Sequence, residues 1–159
     1  MTGTDLELAS CALAVHDVDE ALGFYRDALG FEVRDEAGPP GTRRVGVRSP
    51  AQPTTHIILE APTGDPVVSS ANRQALWGLM ALGLLSRLVF STTDCDATFE
   101  RIESAGAEVM QEPIARADGV RDCVFLDPSG NMLRFTQPLH PTPSARSTGK
   151  LIRLPRPCG

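Results

Sequence analysis

The sequence has no uninterrupted apolar stretch near the roughly 20 residues that a bilayer-crossing helix needs, which excludes a helical membrane span. It also lacks the basic-then-apolar layout of a secretory leader, since Met1 to Glu7 is polar and acidic. The four cysteines, Cys11, Cys95, Cys123 and Cys158, are far apart and form no C-x-x-C pair, so neither a zinc site nor a redox couple is expected. Without an export signal, the expectation is reduced, mostly buried thiols in a soluble cytoplasmic protein. Nor is there a basic excess. Fifteen Lys and Arg stand against 20 Asp and Glu, giving a net charge of −5 and a pI near 5.1, which argues against nucleic acid or an anionic membrane surface as the main partner. The charge is uneven: from Pro138 onward there are Arg146, Lys150, Arg153 and Arg156 and no acid. Removing those four bases leaves 11 against 20 acids in the body, a net of −9.

What is present fits one domain. The chain has 159 residues, 42% of them hydrophobic, enough to bury a core. It also repeats itself. Asp17-Val18-Asp19-Glu20 opens a short amphipathic stretch that ends at Gly30 and runs into Phe31-Glu32-Val33. Some 77 residues later, Asp94-Cys95-Asp96 opens a second stretch that ends at Gly106 and runs into Ala107-Glu108-Val109. The copies differ by one residue in length.

Each copy carries helix signals between strand signals. Asp17 is placed to cap the first helix, with Glu20 three residues on completing a capping box. Leu22, Tyr25 and Leu29 fall near the helical period, and Gly30 and Gly106 stand where a helix ends and φ turns positive. Apolar runs precede the helices at Cys11–Val15 and Leu88–Phe90. Extended runs follow at 43–48 and 56–61 in the first half, and at 120–126 and 132–136 in the second. Asp127-Pro128-Ser129-Gly130-Asn131 reads as the turn of the last hairpin. The fold class is therefore α+β, two βαβββ modules forming a cupped mixed sheet: module one 7–62, a linker 63–84, and module two 85–137. Thr63–Pro66 reads as a turn, and Ser70 as the cap of a linker helix over 71–80, whose Leu76, Trp77, Leu79 and Met80 form an apolar face. The segment 138–159, with Pro at 138, 141, 143, 155 and 157, reads as an extended basic tail.

The stretch Ala14-Val15-His16-Asp17-Val18-Asp19-Glu20-Ala21-Leu22-Gly23-Phe24-Tyr25-Arg26-Asp27-Ala28-Leu29-Gly30-Phe31 resembles the opening of the vicinal oxygen chelate superfamily. This superfamily includes glyoxalase I, extradiol dioxygenases, fosfomycin-modifying enzymes and bleomycin-binding proteins. Phe125-Leu126-Asp127-Pro128-Ser129-Gly130-Asn131-Met132-Leu133 resembles its closing hairpin. The resemblance covers roughly residues 7 to 137 and implies a cupped small-molecule site, without naming the chemistry.

In metal-dependent members, the resemblance implies four inward side chains, typically His, Gln or Glu, two from each module. Carried over position by position, these are Ser10, Arg87, Arg134 and either Ile58 or, with a register two residues later, Glu60. An arginine offers a metal no lone pair, so neither a metal nor another cofactor is expected. His16 lies at the strand–helix corner, His140 in the tail, and His56 at the start of a strand, where one histidine alone makes no metal site.

Arg87 and Arg134 then have two open roles. They clamp a carboxylate, phosphate or enolate of a ligand, or they pair with Glu60 or Asp122 as internal glue. Ser10, Arg87, Arg121, Arg134 and Trp77 are the candidate ligand-binding residues, with Glu60 and His56 as candidate bases. The expectation is a metal-independent binding protein that sequesters a drug or metabolite, with a small-molecule ligand and a second copy of itself as partners. The alternatives are a metal-free isomerase, lyase or cyclase, and a glyoxalase I-like or dioxygenase-like metalloenzyme whose divalent metal sits on ligands at other positions.

Overall fold

The computed structural model describes residues 4–36, 43–62 and 69–139. The Thr63–Pro66 turn and the tail from residue 140, with His140 and Cys158, lie outside them. The first module runs β1 (Ser10–Ala14), α1 (Val18–Gly23), β2 (Glu32–Glu36), β3 (Arg44–Arg48) and β4 (His56–Glu60). A linker helix α2 (Ser70–Ala81) leads to β5 (Arg87–Ser91), α3 (Cys95–Ser104), β6 (Glu108–Ala115), β7 (Val120–Leu126) and β8 (Met132–Pro138). The chain is thus two βαβββ modules, and the mixed sheet is divided into two four-stranded sheets, ordered β1-β4-β3-β2 and β5-β8-β7-β6. The first and last strands of each module pair in parallel, the others antiparallel.

The repeat is visible in the helix starts. The carboxylate of Asp17 accepts from the backbone N–H groups of Asp19 and Glu20 at 2.8 and 3.0 Å, and that of Asp94 from Ala97 N–H at 3.0 Å. The residue by which the copies differ has a structural cause. α1 continues into a π-helical turn, Phe24–Ala28, with Leu29 N–H bonding Phe24 C=O at 3.3 Å, whereas α3 has no such turn. A single inserted residue is absorbed as a wider turn without disturbing either helix end. Gly30 and Gly106 then take φ of 73° and 85°. The linker helix is capped by Ser69 rather than Ser70: the Ser69 hydroxyl accepts from Asn72 N–H at 3.2 Å, one residue earlier than the sequence pattern suggests. Of its apolar face only Met80 is fully buried, while Leu79 is exposed.

One face of each sheet packs on the helices, and the two helix-facing sides share a single core. Leu13, Val47, Leu59 and Tyr25 of the first module cluster with Ile102, Cys123, Phe125, Leu133 and Phe135 of the second. Phe31 meets Phe90 edge-on at 5.7 Å, and Phe90 stacks on Phe135 at 5.3 Å. Truncating a ring such as Phe125 to alanine would cost about 3–5 kcal/mol. Cys95 and Cys123 are free, buried thiols in this core, and burial pushes the Cys123 thiol up to about 12. Cys11 is free and half-buried.

The hairpin 127–131 also joins the modules. The Asp127 carboxylate accepts from Ser129 and Asn131 N–H at 2.9 and 2.8 Å, from the Asn131 amide at 2.9 Å, and from the Tyr25 phenol at 3.0 Å. Asn131 donates to Ala14 C=O at 3.0 Å, and His16 N–H donates to Ser129 Oγ at 2.9 Å. Burial first, then the Asp127 carboxylate, hold the Tyr25 phenol well above its usual range. No helix among the described residues is long and apolar enough to cross a membrane.

Candidate functional site

Because both helix-facing sides point into one core, the opposite faces of the two sheets point away from it. Strand alternation fixes their occupants. On the first sheet, β1 and β4 bring Ser10 beside His56, Ala12 beside Ile58 and Ala14 beside Glu60. Directly across from Glu60 stands Arg44 of β3, and the two form an ion pair at 2.8 Å. Arg48 is likewise paired with Glu32 at 2.8 Å. His56 is half-buried, and its Nε2 has no partner among the described residues.

On the second sheet the rows read Arg87, Met132, Leu126 and Glu108, then Val89, Arg134, Val124 and Gln111, then Ser91, Thr136, Asp122 and Ile114. Asp122, 2% exposed, is the hub of this face. Its Oδ1 accepts from Gln111 at 2.9 Å and from Arg116 Nε at 3.0 Å, and Oδ2 lies 3.4 Å from Arg134 Nη1. Burial pushes this carboxyl up. The hydrogen bonds of Gln111 and Arg116 and the charges of Arg116 and Arg134 outweigh that and hold it below the usual carboxylate range. Arg134 Nε is buried without a partner, and Arg87, exposed, makes no ion pair among the described residues.

The candidate residues are therefore not gathered at one point. Ser10, His56 and Glu60 share the first open face, Arg87 and Arg134 the second, and no side-chain hydrogen bond or ion pair joins the two faces among the described residues. Arg121 belongs to neither. It lies on the helix side of β7 with Cys123 and Phe125, and Asp96 of α3 grips its guanidinium through two bonds of 2.8 and 2.7 Å. Trp77 stacks on His16 with ring centroids 4.1 Å apart, a contact between linker helix and strand–helix corner. A cleft of about 820 Å³ opens at that end of the molecule, lined by His16, Glu20, Phe24, Asp27, Glu108 and Ser129 among others; Ser10, His56, Glu60, Arg87 and Arg134 do not line it.

The register decides between Ile58 and Glu60. Ser10 faces His56 as Arg87 faces Met132, so Ile58 is the counterpart of Arg134. The four positions implied for a metal thus carry a hydroxyl, a hydrocarbon and two guanidinium groups. That set does not fit a divalent ion, which takes imidazole, carboxylate or amide donors. Among the described residues, no group of three His, Cys, Asp or Glu stands close enough to hold one elsewhere. Arg116 and Gln111, which complete the Asp122 hub, and Arg44, which occupies Glu60, were not singled out by the sequence pattern. Their only signal was strand register, which a single sequence leaves undetermined.

Comparison with known proteins agrees with this architecture. The chain is 32% identical over 130 residues to the anthracycline biosynthesis protein DauV of Streptomyces sp. (strain C5), a match covering 82% of this chain and 41% of DauV. The match therefore spans about two fifths of that relative's length. The crystal structure of UcmS2 superposes with a TM-score of 0.75 at 29% identity, covering 84% of this chain and 98% of UcmS2. TnmS3, an antibiotic binding protein from Streptomyces sp. CB03234, shares the fold with a TM-score of 0.65 at 24% identity, covering 86% and 99% of the two chains. Residues 7–135 match the family profile as a whole, and the chain belongs to the Glyoxalase/Bleomycin resistance protein/Dioxygenase superfamily.

Proposed function

We propose that the protein binds a small organic molecule without a metal and sequesters it, a drug or metabolite of the antibiotic type. The observation that supports this reading is the strand register, which makes Ile58 the counterpart of Arg134, so that the four positions the family resemblance implies for a metal carry Ser10, Ile58, Arg87 and Arg134. The similarity to TnmS3, an antibiotic binding protein, and to the anthracycline biosynthesis protein DauV supports the ligand class. The ion pair of Glu60 with Arg44 at 2.8 Å favours binding over metal-free catalysis, because Arg44 already engages the carboxylate that would have to reach a substrate proton.

In this reading the site is completed by a second copy of the chain. Among the described residues no side-chain hydrogen bond or ion pair joins the two open faces, and exposed apolar residues such as Val89, 60% accessible, lie on the second. One twofold axis places the first face of each chain over the second face of the other, closing two equivalent cups at once. Light scattering on the eluting protein is then expected to give twice the 17.0 kDa of one chain. A thermal-shift screen of antibiotics in the presence of a chelator tests the binding reading, and saturable stabilisation by at least one compound is expected. A panel without any stabilising compound contradicts it.

A further inference from the structure

We infer that the ligand carries an anionic oxygen acid, a carboxylate or an acidic phenol or enol, and that Arg134 and Arg87 hold it on the open face of the second sheet. This rests on the small-molecule-binding reading and specifies its chemistry. The two open faces differ in how their charges are settled. On the first, Arg44 and Arg48 are each matched by a glutamate at 2.8 Å, and the third arginine, Arg34, stands between Glu32 and Glu36 on its own strand, so arginines and glutamates are equal in number there. On the second, Arg116 and Arg134 share the one carboxylate of Asp122, and Arg87 makes no ion pair among the described residues. The other acid on that face, Glu108, ends the row that Arg87 begins, three strands away and about 14 Å distant at ordinary strand spacing. In a chain of net charge −5, this face keeps an excess of guanidinium groups.

Asp122 does not use up Arg134. Its Oδ1 is taken by Gln111 and Arg116, and only Oδ2 reaches Arg134, at 3.4 Å to Nη1. The Nε–H of Arg134 is buried and has no acceptor among the described residues. Leaving a charged donor in that state is costly, and a ligand oxygen would relieve the cost. Arg116 and Gln111, joined to each other at 2.7 Å, fix Asp122, and Asp122 in turn positions Arg134. Val89 pairs with Arg134, and Arg87 lies two residues before Val89 on the same face. The two arginines are thus diagonal neighbours on adjacent strands, with backbones about 8 Å apart at standard spacing, and two long side chains of that separation converge on one oxyanion. Guanidinium planes offer paired N–H donors that match such a group. Val89, Val124 and Met132 beside them suit an apolar skeleton bearing it.

The experiment uses benzoate as the anionic probe and benzamide as its neutral counterpart, titrated into the full chain while the arginine side-chain N–H signals are followed by NMR. Benzoate is expected to shift the Arg134 Nε–H and Arg87 signals saturably, and benzamide to leave them in place. Arg87→Gln and Arg134→Gln are each expected to weaken benzoate binding about 10-fold, and Arg134→Lys to restore part of it by charge alone. Arg87→Gln, at an exposed position, keeps the test valid if Arg134→Gln fails to fold. Equal responses to the two probes, or benzoate binding indifferent to both substitutions, overturn the clamp. An antibiotic that binds the two glutamine variants as tightly as the parent also overturns the clamp but leaves the binding reading standing. A screen without any binder, alongside a normal benzoate response, overturns the binding reading instead.

Discussion

Ile58 and Arg134 occupy the same place in the two halves of the protein. Each stands on the last strand of its module, two residues beyond the partner of Ser10 or Arg87, on the face turned away from the helices. The internal repeat thus presents a hydrocarbon on one sheet and a guanidinium on the other, at positions that the family resemblance implies for metal donors.

The bond between Tyr25 and Asp127 ties the modules together through buried groups 102 positions apart. Tyr25→Phe removes the donor but leaves Asp127 its bonds from Ser129 and Asn131. Urea denaturation is expected to show a loss of about 1–3 kcal/mol with an unchanged slope. An unchanged midpoint would mean the bond does not contribute.

Two glycines of similar φ should respond differently to alanine. At Gly106, φ 85°, an added Cβ meets nothing within 4 Å, so only the left-handed backbone is penalised, by about 1–2 kcal/mol. At Gly130, φ 87°, the added Cβ would run into the Met80 carbonyl of the linker helix. Gly130→Ala is therefore expected to destabilise the protein more than Gly106→Ala in parallel thermal melts, and equal effects would show that the linker helix does not pack there.

Asp122 makes stability depend on pH in a definite direction. Its folded carboxyl titrates below the unfolded value of about 3.9. The stabilisation is therefore present at neutral pH and is lost as pH falls below about 4, through the folded value. Asp122→Asn is expected to be less stable than the parent at pH 7, with the gap narrowing toward pH 3. A gap that stays constant across that range would contradict the assignment of the hub.

The parts of the fold legible in the sequence are those set by local chemistry. Asp17 and Asp94 announce the helix starts, Gly30 and Gly106 their ends, and the Asp-Pro-Ser-Gly-Asn run the last hairpin. The choice between Ile58 and Glu60 was not legible, for a physical reason. A shift of two residues returns a strand to the same face, so the apolar pattern is blind to it, and only the pairing with β1 decides. Nor could the pattern say that the two open faces point away from one core, because that depends on how the helix-facing sides meet. Arg121 is a different case. It alternates in phase with Cys123 and Phe125, both buried among helix-side residues, so the information that removes it from the site was present in the strand itself.

Binding without metal is measured most directly by calorimetric titration of chelator-treated protein with an antibiotic that stabilises it. Saturable binding is expected, with an affinity that stays within about twofold when nickel, zinc, manganese or iron is restored. Binding that appears only after one equivalent of metal is taken up would contradict it.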